Sequence, residues 1–235
     1  GLSVSEQGAF WRDIHVKKNG NDQFTGYLQS YSNTYGPIEK LAATLKEMQG
    51  LPGLASLALG TRPDCLDSAR LDLLADQKES LGLDAVFLEL GLQSADDATL
   101  RHINRGHDVA CFVEAVEAAV ERGLLVVAHV MVGLPTPDGR EGEAELLTTV
   151  DLLNQLPVHG VKFHNVYVCR GTRLARWYEA GEYAPPTLDE YLTWLSAALM
   201  RLDPRAVVHR LNGNPAQGEL LAPDWAANMR RLHNL

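Results

Sequence analysis

Short apolar runs alternate along this chain with stretches whose apolar positions recur at three- and four-residue spacing. The runs are Phe24-Thr-Gly-Tyr-Leu-Gln-Ser-Tyr31, Leu54-Ala-Ser-Leu-Ala-Leu-Gly60, Ala85-Val-Phe-Leu-Glu-Leu-Gly91, residues 124–132, and Gly160-Val-Lys-Phe-His-Asn-Val-Tyr-Val168. Each reads as a strand. Between them, Ile38, Leu41, Leu45 and Met48 mark one helical face, with Pro37 at its start and Gly50 beyond its end. Leu71 and Leu74 follow a cap at Asp67 or Ser68. Leu100 and Ile103 belong to a short helix. Phe112, Val116 and Val120 belong to a longer one, capped by Asp108 and stopped at Gly123. Leu146, Val150 and Leu153 form the next stripe, and Leu174 and Trp177 a short one. Thr187-Leu-Asp-Glu190 is a capping box opening the stripe of Tyr191, Trp194, Leu195, Ala198 and Leu202. The tail has one more β-like run, at 206–209.

Strands at roughly 30–40-residue intervals with helices between them predict βαβ units and a parallel sheet. Runs apolar on both faces fit a sheet covered by helices on each side. A doubly wound dinucleotide-binding sheet would need a glycine-rich turn after its first strand, and none is present. A barrel or partial barrel gathers the polar strand ends around one mouth, and five strong strands are too few for an eight-stranded one. The reading is therefore α/β, a partial TIM-like barrel of parallel strands. No composition break or linker appears, so residues 1–235 read as one domain.

Composition narrows the function. The 235 residues are 46% hydrophobic with 22% charged, ordinary for a globular fold. A net charge of −9 argues against a dominant nucleic-acid face. Three scattered cysteines, Cys65, Cys111 and Cys169, make no disulfide framework and point to a reducing, cytoplasmic setting. No run approaches the roughly 18–20 apolar residues that span a bilayer.

Chemistry is expected at the strand ends: Gln29-Ser-Tyr-Ser-Asn-Thr34, Thr61-Arg-Pro-Asp-Cys65, Glu89-Leu-Gly-Leu-Gln-Ser94, His129-Val-Met-Val-Gly-Leu-Pro135 and His164-Asn-Val-Tyr-Val-Cys-Arg170. Plainer roles stand beside the functional ones. Gln93 and Ser94 could cap a helix, Arg105 could pair with a surface carboxylate, and His129 could be a hydrogen-bonded core histidine. The series Tyr27, Tyr31 and Tyr35 fits packing or substrate stacking equally, and Arg210 could meet a substrate anion. His164 and Cys169, five apart on one strand-like run, point to opposite faces and make no metal pair. Lys162, inside a strand, is the one candidate for Schiff-base chemistry.

Five segments in order, Glu-Leu-Gly-Leu-Gln-Ser, Asn104-Arg-Gly-His107, Val-Gly-Leu-Pro, Arg170-Gly-Thr-Arg-Leu-Ala and Gly181-Glu-Tyr183, resemble the radical S-adenosylmethionine enzymes. The resemblance is to a bacterial branch similar to the elongator catalytic subunit and to oxygen-independent coproporphyrinogen oxidase, and it runs from about Phe24 to Trp225. It implies a partial (β/α)6 barrel whose first strand leads into a C-x3-C-x2-C loop. Those thiolates hold a [4Fe–4S] cluster, soft low-potential iron ligation. The cluster cleaves S-adenosylmethionine to a 5′-deoxyadenosyl radical. This chain has no such triplet. The expectation is that the first strand and cluster loop would precede Gly1, that residues 1–20 follow them, that 203–235 form a C-terminal extension, and that this chain alone carries no cluster and is inactive.

The resemblance assigns cofactor contacts one position at a time. Ser32, Asn33 and Thr34 would meet the methionyl amino group, and Arg62 remains a polar candidate beside Gly60. Glu89, Gln93 and Ser94 lie at the next strand end, with Gln93 on the cofactor. Arg105 would pair with the cofactor carboxylate. His129 would reach the ribose, Gly133 would allow close backbone approach, and Asn165, Val166 and Tyr167 would lie along the adenine. No metal ligand or catalytic residue is assigned. The implied partner is this small-molecule cofactor; RNA enters by analogy alone and is disfavoured by charge. An open edge at the missing strand would favour self-association. Two rivals remain, an ordinary barrel lyase or hydrolase using Lys162, and a non-catalytic binding protein without a cluster.

Overall fold

The computed structural model describes residues 3–29, 31–215 and 218–227. In chain order the elements are α1 (Val4–Asn19), β1 (Phe24–Leu28), α2 (Ile38–Glu47), β2 (Leu54–Thr61), α3 (Ser68–Ser80), β3 (Ala85–Gln93), α4 (Asp97–His102), α5 (Val109–Glu121), β4 (Leu125–Val132), β5 (Pro135–Thr136) and β6 (Gly139–Arg140). There follow α6 (Glu143–Asn154), β7 (Gly160–Asn165), β8 (Val168–Cys169), α7 (Arg173–Glu179), α8 (Leu188–Arg201), β9 (Val207–Arg210) and β10 (Leu220–Ala222).

Six strands form one sheet in the order β1-β2-β3-β4-β7-β9. The order never reverses along the chain. A doubly wound sheet reverses at a switch point, so this is the partial (β/α)6 barrel arrangement. The tail run at 206–209 supplies the sixth strand, so the segment set apart as an extension contributes to the sheet. The Gly160 to Val168 run is not one strand. It ends at Asn165, and Val168 and Cys169 leave the sheet to pair antiparallel with β10. His164 and Cys169 therefore do not share a strand. The short β5–β6 hairpin was not visible in the apolar pattern, because it holds two residues a side.

The helix signals correspond to real caps. The Ser3 hydroxyl accepts from Glu6 N, and Glu6 reaches back, at the head of α1. Asp67 caps α3, the Asp108 carboxylate accepts from Cys111 N at 2.9 Å, and Thr187 with Glu190 closes the box on α8. Each cap satisfies amide donors that the helix leaves without partners.

The chain divides into two compact units, one of residues 1–91 and 112–127, the other of 92–111 and 128–235. In the first, β1, β2 and β3 are parallel, with Tyr27 opposite Ala58 and Gly60 opposite Glu89. Leu45, Leu57, Leu59, Leu74, Leu88 and Phe112 are fully buried there. The edge strand β1 leaves Tyr27 partly exposed, and Phe10 and Trp11 of α1 are exposed. In the second, β7 and β9 are parallel, with Lys162 opposite Arg210. Val130, Val150, Val161, Phe163 and Tyr191 are buried, and a second cluster gathers Leu134, Val166, Val168, Ala175, Tyr183 and Ala222.

Two stability outcomes follow. Leu59→Ala empties a site with no solvent exposure and should cost about 2–5 kcal/mol in denaturant unfolding. Thr187→Ala removes the α8 cap and should cost about 1 kcal/mol. A Leu59→Ala loss under 1 kcal/mol would show that the β2 core is not packed as described.

Candidate functional site

In the first unit, the end of β1 is tied to the end of β2 by one side chain. Asn33 Nδ2 donates to Leu28 O and to Gly60 O, both at 2.9 Å. The Thr34 hydroxyl meets the Thr61 hydroxyl at 2.6 Å and donates to Cys65 O at 2.7 Å, and Thr34 is buried. Arg62 Nε donates to Asp64 Oδ1 at 2.8 Å, and that pairing raises the guanidinium's affinity for its proton. Tyr27 donates its hydroxyl proton to Glu89 Oε2, from β1 to β3 over the intervening β2. Gly60 lies opposite Glu89, and a Cβ there would touch nothing within 4 Å, so its bare backbone lies beneath open space. Of the expected contacts here, Asn33 and Thr34 hold the turn, Ser32 lies between them and β1, and Ser30 falls outside the described residues.

The second unit gathers most of the expected contacts. Asn104 and Gly106 take left-handed conformations in the turn that ends α4. That turn places Arg105, whose Nε donates to His107 Nε2 at 2.9 Å. His129 of β4 and His164 of β7 meet edge to face with ring centres 4.1 Å apart, and Arg210 Nη1 lies 3.1 Å from His164 Nε2. Burial, then the charges of Lys162, Arg210 and Arg105, push the His129 imidazole down to about 4. At neutral pH its ring is uncharged, suited to sharing a hydrogen bond with a hydroxyl.

Asn165 is fully buried at the end of β7. Its Oδ1 accepts from Gly213 N at 2.9 Å, which fixes the orientation of the amide. Its Nδ2 has no hydrogen-bond partner, and neither does buried Gln93 Oε1. Gln93 also holds a φ of +77°, a conformation that costs a non-glycine residue free energy. Buried amide atoms without partners are rare and call for an explanation, a ligand being one; Gln77 Oε1 on α3, Arg12 Nε on α1 and Arg140 Nη1 on β6 share the condition. A cavity of about 470 Å³ is lined by Met131, His164, Asn165, Val166, Tyr167 and Trp177, among others.

The remaining positions are structural in different ways. Gly133 has a φ of +86°, and a Cβ there would lie 2.4 Å from Pro186, so its bareness serves that approach; its carbonyl accepts from Tyr183 at 2.7 Å. Ser94 is buried, and its hydroxyl donates to Glu141 at 2.5 Å. Val166 N–H donates to Val132 O at 3.0 Å. Tyr167 is pushed up by burial and by nearby Cys169 and Glu219, and its hydroxyl donates to Asn214 O at 3.3 Å. Lys162 is buried within β7.

Three residues were missed by sequence reading. Trp177 stacks on His102 at 4.8 Å, with the Arg173 guanidinium 4.5 Å from its ring centre. The Arg173–Trp177 spacing of four on α7 was the signal available. Glu141, a buried carboxyl in a polar, glycine-bearing loop, gave no signal. Cys65 sits in a short 3-10 turn, Cys111 on α5 and Cys169 on β8. Among the described residues no group of three or more metal-ligating side chains could hold a metal ion. These residues therefore do not fit an iron–sulfur cluster.

The His129 shift has a sign that can be measured. Between the ordinary histidine value of 6.5 and about 4, the unfolded chain takes up a proton that the native ring refuses. Stability is present above that window and falls with pH inside it. His129→Gln should flatten the dependence of melting temperature on pH across this range; an unchanged slope would show that the ring titrates freely.

Comparison with known proteins bears on this arrangement. Residues 13–153 match the Radical SAM superfamily, and residues 158–235 match the Radical_SAM C-terminal domain. The chain is 35% identical over 226 residues to Protein YhcC of Escherichia coli strain K12, covering 96% of this chain and 70% of that protein. It is 31% identical to the uncharacterized protein YtqA of Bacillus subtilis strain 168, covering 92% of this chain and 64% of that one. Elongator complex protein 3 of Homo sapiens is 27% identical over 202 residues, 86% of this chain and 34% of that protein. Among solved structures, the archaeal Methanocaldococcus infernus Elp3 with an N-terminal deletion (1–46) has a TM-score of 0.75 at 18% identity. It covers 97% of this chain, which spans 59% of that one, and at such identity it shows the fold. The strand order, the ordered motifs and a family match over more than half its length agree: the chain belongs to the radical SAM superfamily.

Proposed function

We propose that this chain binds S-adenosylmethionine on its second unit and presents it for radical chemistry on a substrate still to be identified. The observation that carries the reading is the pair of buried amide atoms without partners in the second unit, Gln93 Oε1 and Asn165 Nδ2. Each such atom costs about 1–3 kcal/mol if nothing meets it. One is an acceptor and one a donor, and Asn165 lines the cavity. Family membership supports the choice of ligand, since the family's cofactors are S-adenosylmethionine and a [4Fe–4S] cluster.

In this reading Gln93 accepts from the cofactor and Asn165 Nδ2 donates to it. Arg105, already oriented by His107, offers its guanidinium to the cofactor carboxylate. His129, neutral at physiological pH, shares a hydrogen bond with a ribose hydroxyl. Val166 and Tyr167 give the cavity an apolar wall that excludes water. S-adenosylmethionine, given one electron by a reduced [4Fe–4S] cluster, would be the source of the family's 5′-deoxyadenosyl radical. Among the described residues no group of three or more His, Cys, Asp or Glu side chains could hold a metal ion.

The same reading makes the chain a single functional domain working in the cytoplasm; among the described residues no helix is long and apolar enough to cross a membrane. The net charge of −9 disfavours RNA as the substrate. The exposed edge at β1, beside exposed Phe10 and Trp11, supports self-association through that edge.

Titration calorimetry on the full-length protein, reconstituted with iron and sulfide without oxygen, tests the reading. S-adenosylmethionine should bind, and a reductant should release 5′-deoxyadenosine. Arg105→Ala and Asn165→Ala should each weaken binding about tenfold or more, a loss of roughly 1.4 kcal/mol. A loaded wild-type protein that neither binds nor cleaves S-adenosylmethionine sinks the proposal.

A further inference from the structure

Arg210, the last residue of β9, has no part in the reading above. Its Nη1 lies 3.1 Å from His164 Nε2 on the neighbouring strand β7. A guanidinium has donors only, so His164 Nε2 accepts this bond and carries no proton of its own. His164 is itself fixed on two sides. His129 of β4 packs edge to face against it with ring centres 4.1 Å apart. The backbone at Gly213 closes on its other nitrogen so nearly that a Cβ there would lie 2.7 Å from Nδ1. The guanidinium therefore rests on an imidazole that cannot swing away. That imidazole lines the cavity of about 470 Å³ together with Asn165 and Tyr167. Lys162, two residues back along β7, lies on the same face as His164.

What Arg210 meets is unusual for this unit. Arg140, Arg201 and Arg205 each pair with a carboxylate, that of Glu190, Asp151 and Asp203 respectively. Among the described residues Arg210 makes no ion pair, and its one hydrogen bond is to the neutral acceptor His164. Exposed Arg101, Arg170 and Arg176 also pair with no carboxylate, but among the described residues no ring accepts a hydrogen bond from them. The acid that bears on this corner is Glu219, which acts on Tyr167 and Cys169, and Arg210 opposes it at Tyr167. On the cavity side the charges of Lys162, Arg210 and Arg105 all reach buried His129. A guanidinium held this way keeps N–H donors for a second partner, and its fork matches the oxygens of a carboxylate or a phosphate.

We propose that Arg210, propped by His164, is an anion-binding group of the substrate site, and that the substrate of this chain is a small molecule whose carboxylate or phosphate docks there. The size of the cavity suits a small molecule, and a net charge of −9 argues against a polyanion. Arg105 is left to the cofactor carboxylate, so the two guanidiniums serve different ligands. Calling the ligand a substrate rests on the cofactor reading; the anion site itself can be measured without S-adenosylmethionine.

The test follows the melting temperature of the full-length, iron-loaded protein in rising inorganic phosphate and, separately, rising acetate, with ionic strength held constant by chloride. An anion that binds only the folded state stabilises it in proportion to the logarithm of its occupancy term, so affinity can be read from the curve. Wild type should show a saturable rise with at least one of the two anions. Arg210→Gln should weaken that anion about tenfold or more, and Arg176→Gln should leave it within about twofold. His164→Phe removes the acceptor that orients the guanidinium and should weaken the anion about threefold or more, whereas His164→Gln restores an acceptor and should stay within about twofold. Should Arg210→Gln fail to fold, Arg210→Lys decides: it keeps the charge, loses the fork, and should still weaken the anion. Absence of a saturable rise in wild type overturns the proposal, and so does an equal rise in Arg210→Gln. Repeating the series in saturating S-adenosylmethionine separates the two ligands. A rise that persists supports a distinct substrate anion site; a rise that S-adenosylmethionine abolishes gives Arg210 to the cofactor carboxylate and overturns the proposal. If the anion binds as expected while wild type binds no S-adenosylmethionine, the anion site stands and the cofactor reading is at fault.

Discussion

Parallel pairing governs this molecule. Strands that run the same way cannot be joined by tight turns, so each connection must cross back over a face of the sheet, and helices do so most economically. That requirement produces the alternating rhythm of the sequence; β2 and β7 are largely buried, while β1 and β9 at the sheet edges keep exposed residues. Within each unit it also places the carboxyl-terminal ends of paired parallel strands on the same side. The polar residues that follow the strands are then brought near their neighbours by backbone geometry alone, before any side chain has made a contact.

What side chains add is orientation, and here buried polar groups do most of it. Asn33 closes the β1 and β2 ends with two bonds to carbonyls. Gly213 N fixes which way Asn165 faces. Ser94 and Glu141 hold the turn that carries Gln93. A buried polar network is tolerated only when nearly every member is satisfied. The few members left over in the second unit are therefore informative, since neighbouring positions show how readily this chain satisfies such atoms.

Much of this was legible in the residues. Runs apolar on both faces announced covered strands, and Asp67, Asp108 and Thr187 announced helix starts through hydrogen bonds that only short polar side chains make. The break at Asn165 was not legible. Val166, Tyr167 and Val168 continue the β-like pattern, and what ends the strand is pairing with β10, more than 50 residues later. The role of Gly133 was legible as a need for bareness but not its cause, which is Pro186. Glu141 was invisible because a carboxyl among Gly and Arg reads as solvated; its burial comes from tertiary packing. The partnerless amides of the second unit could not be read either, since Gln93 and Asn165 differ from other amides only in what surrounds them.

The segment around Gly213 shows how tightly this region is fitted. A methyl group on Gly213 would sit 2.7 Å from His164 Nδ1 and 3.2 Å from the Tyr167 ring, while the backbone N–H at 213 serves Asn165. These positions lie nearly 50 residues apart, yet they can drift only together: a side chain at 213 demands a smaller neighbour at 164 or 167. Among related sequences, change at these sites should arrive as compensating pairs, and a lone substitution at 213 should be the rarest of them.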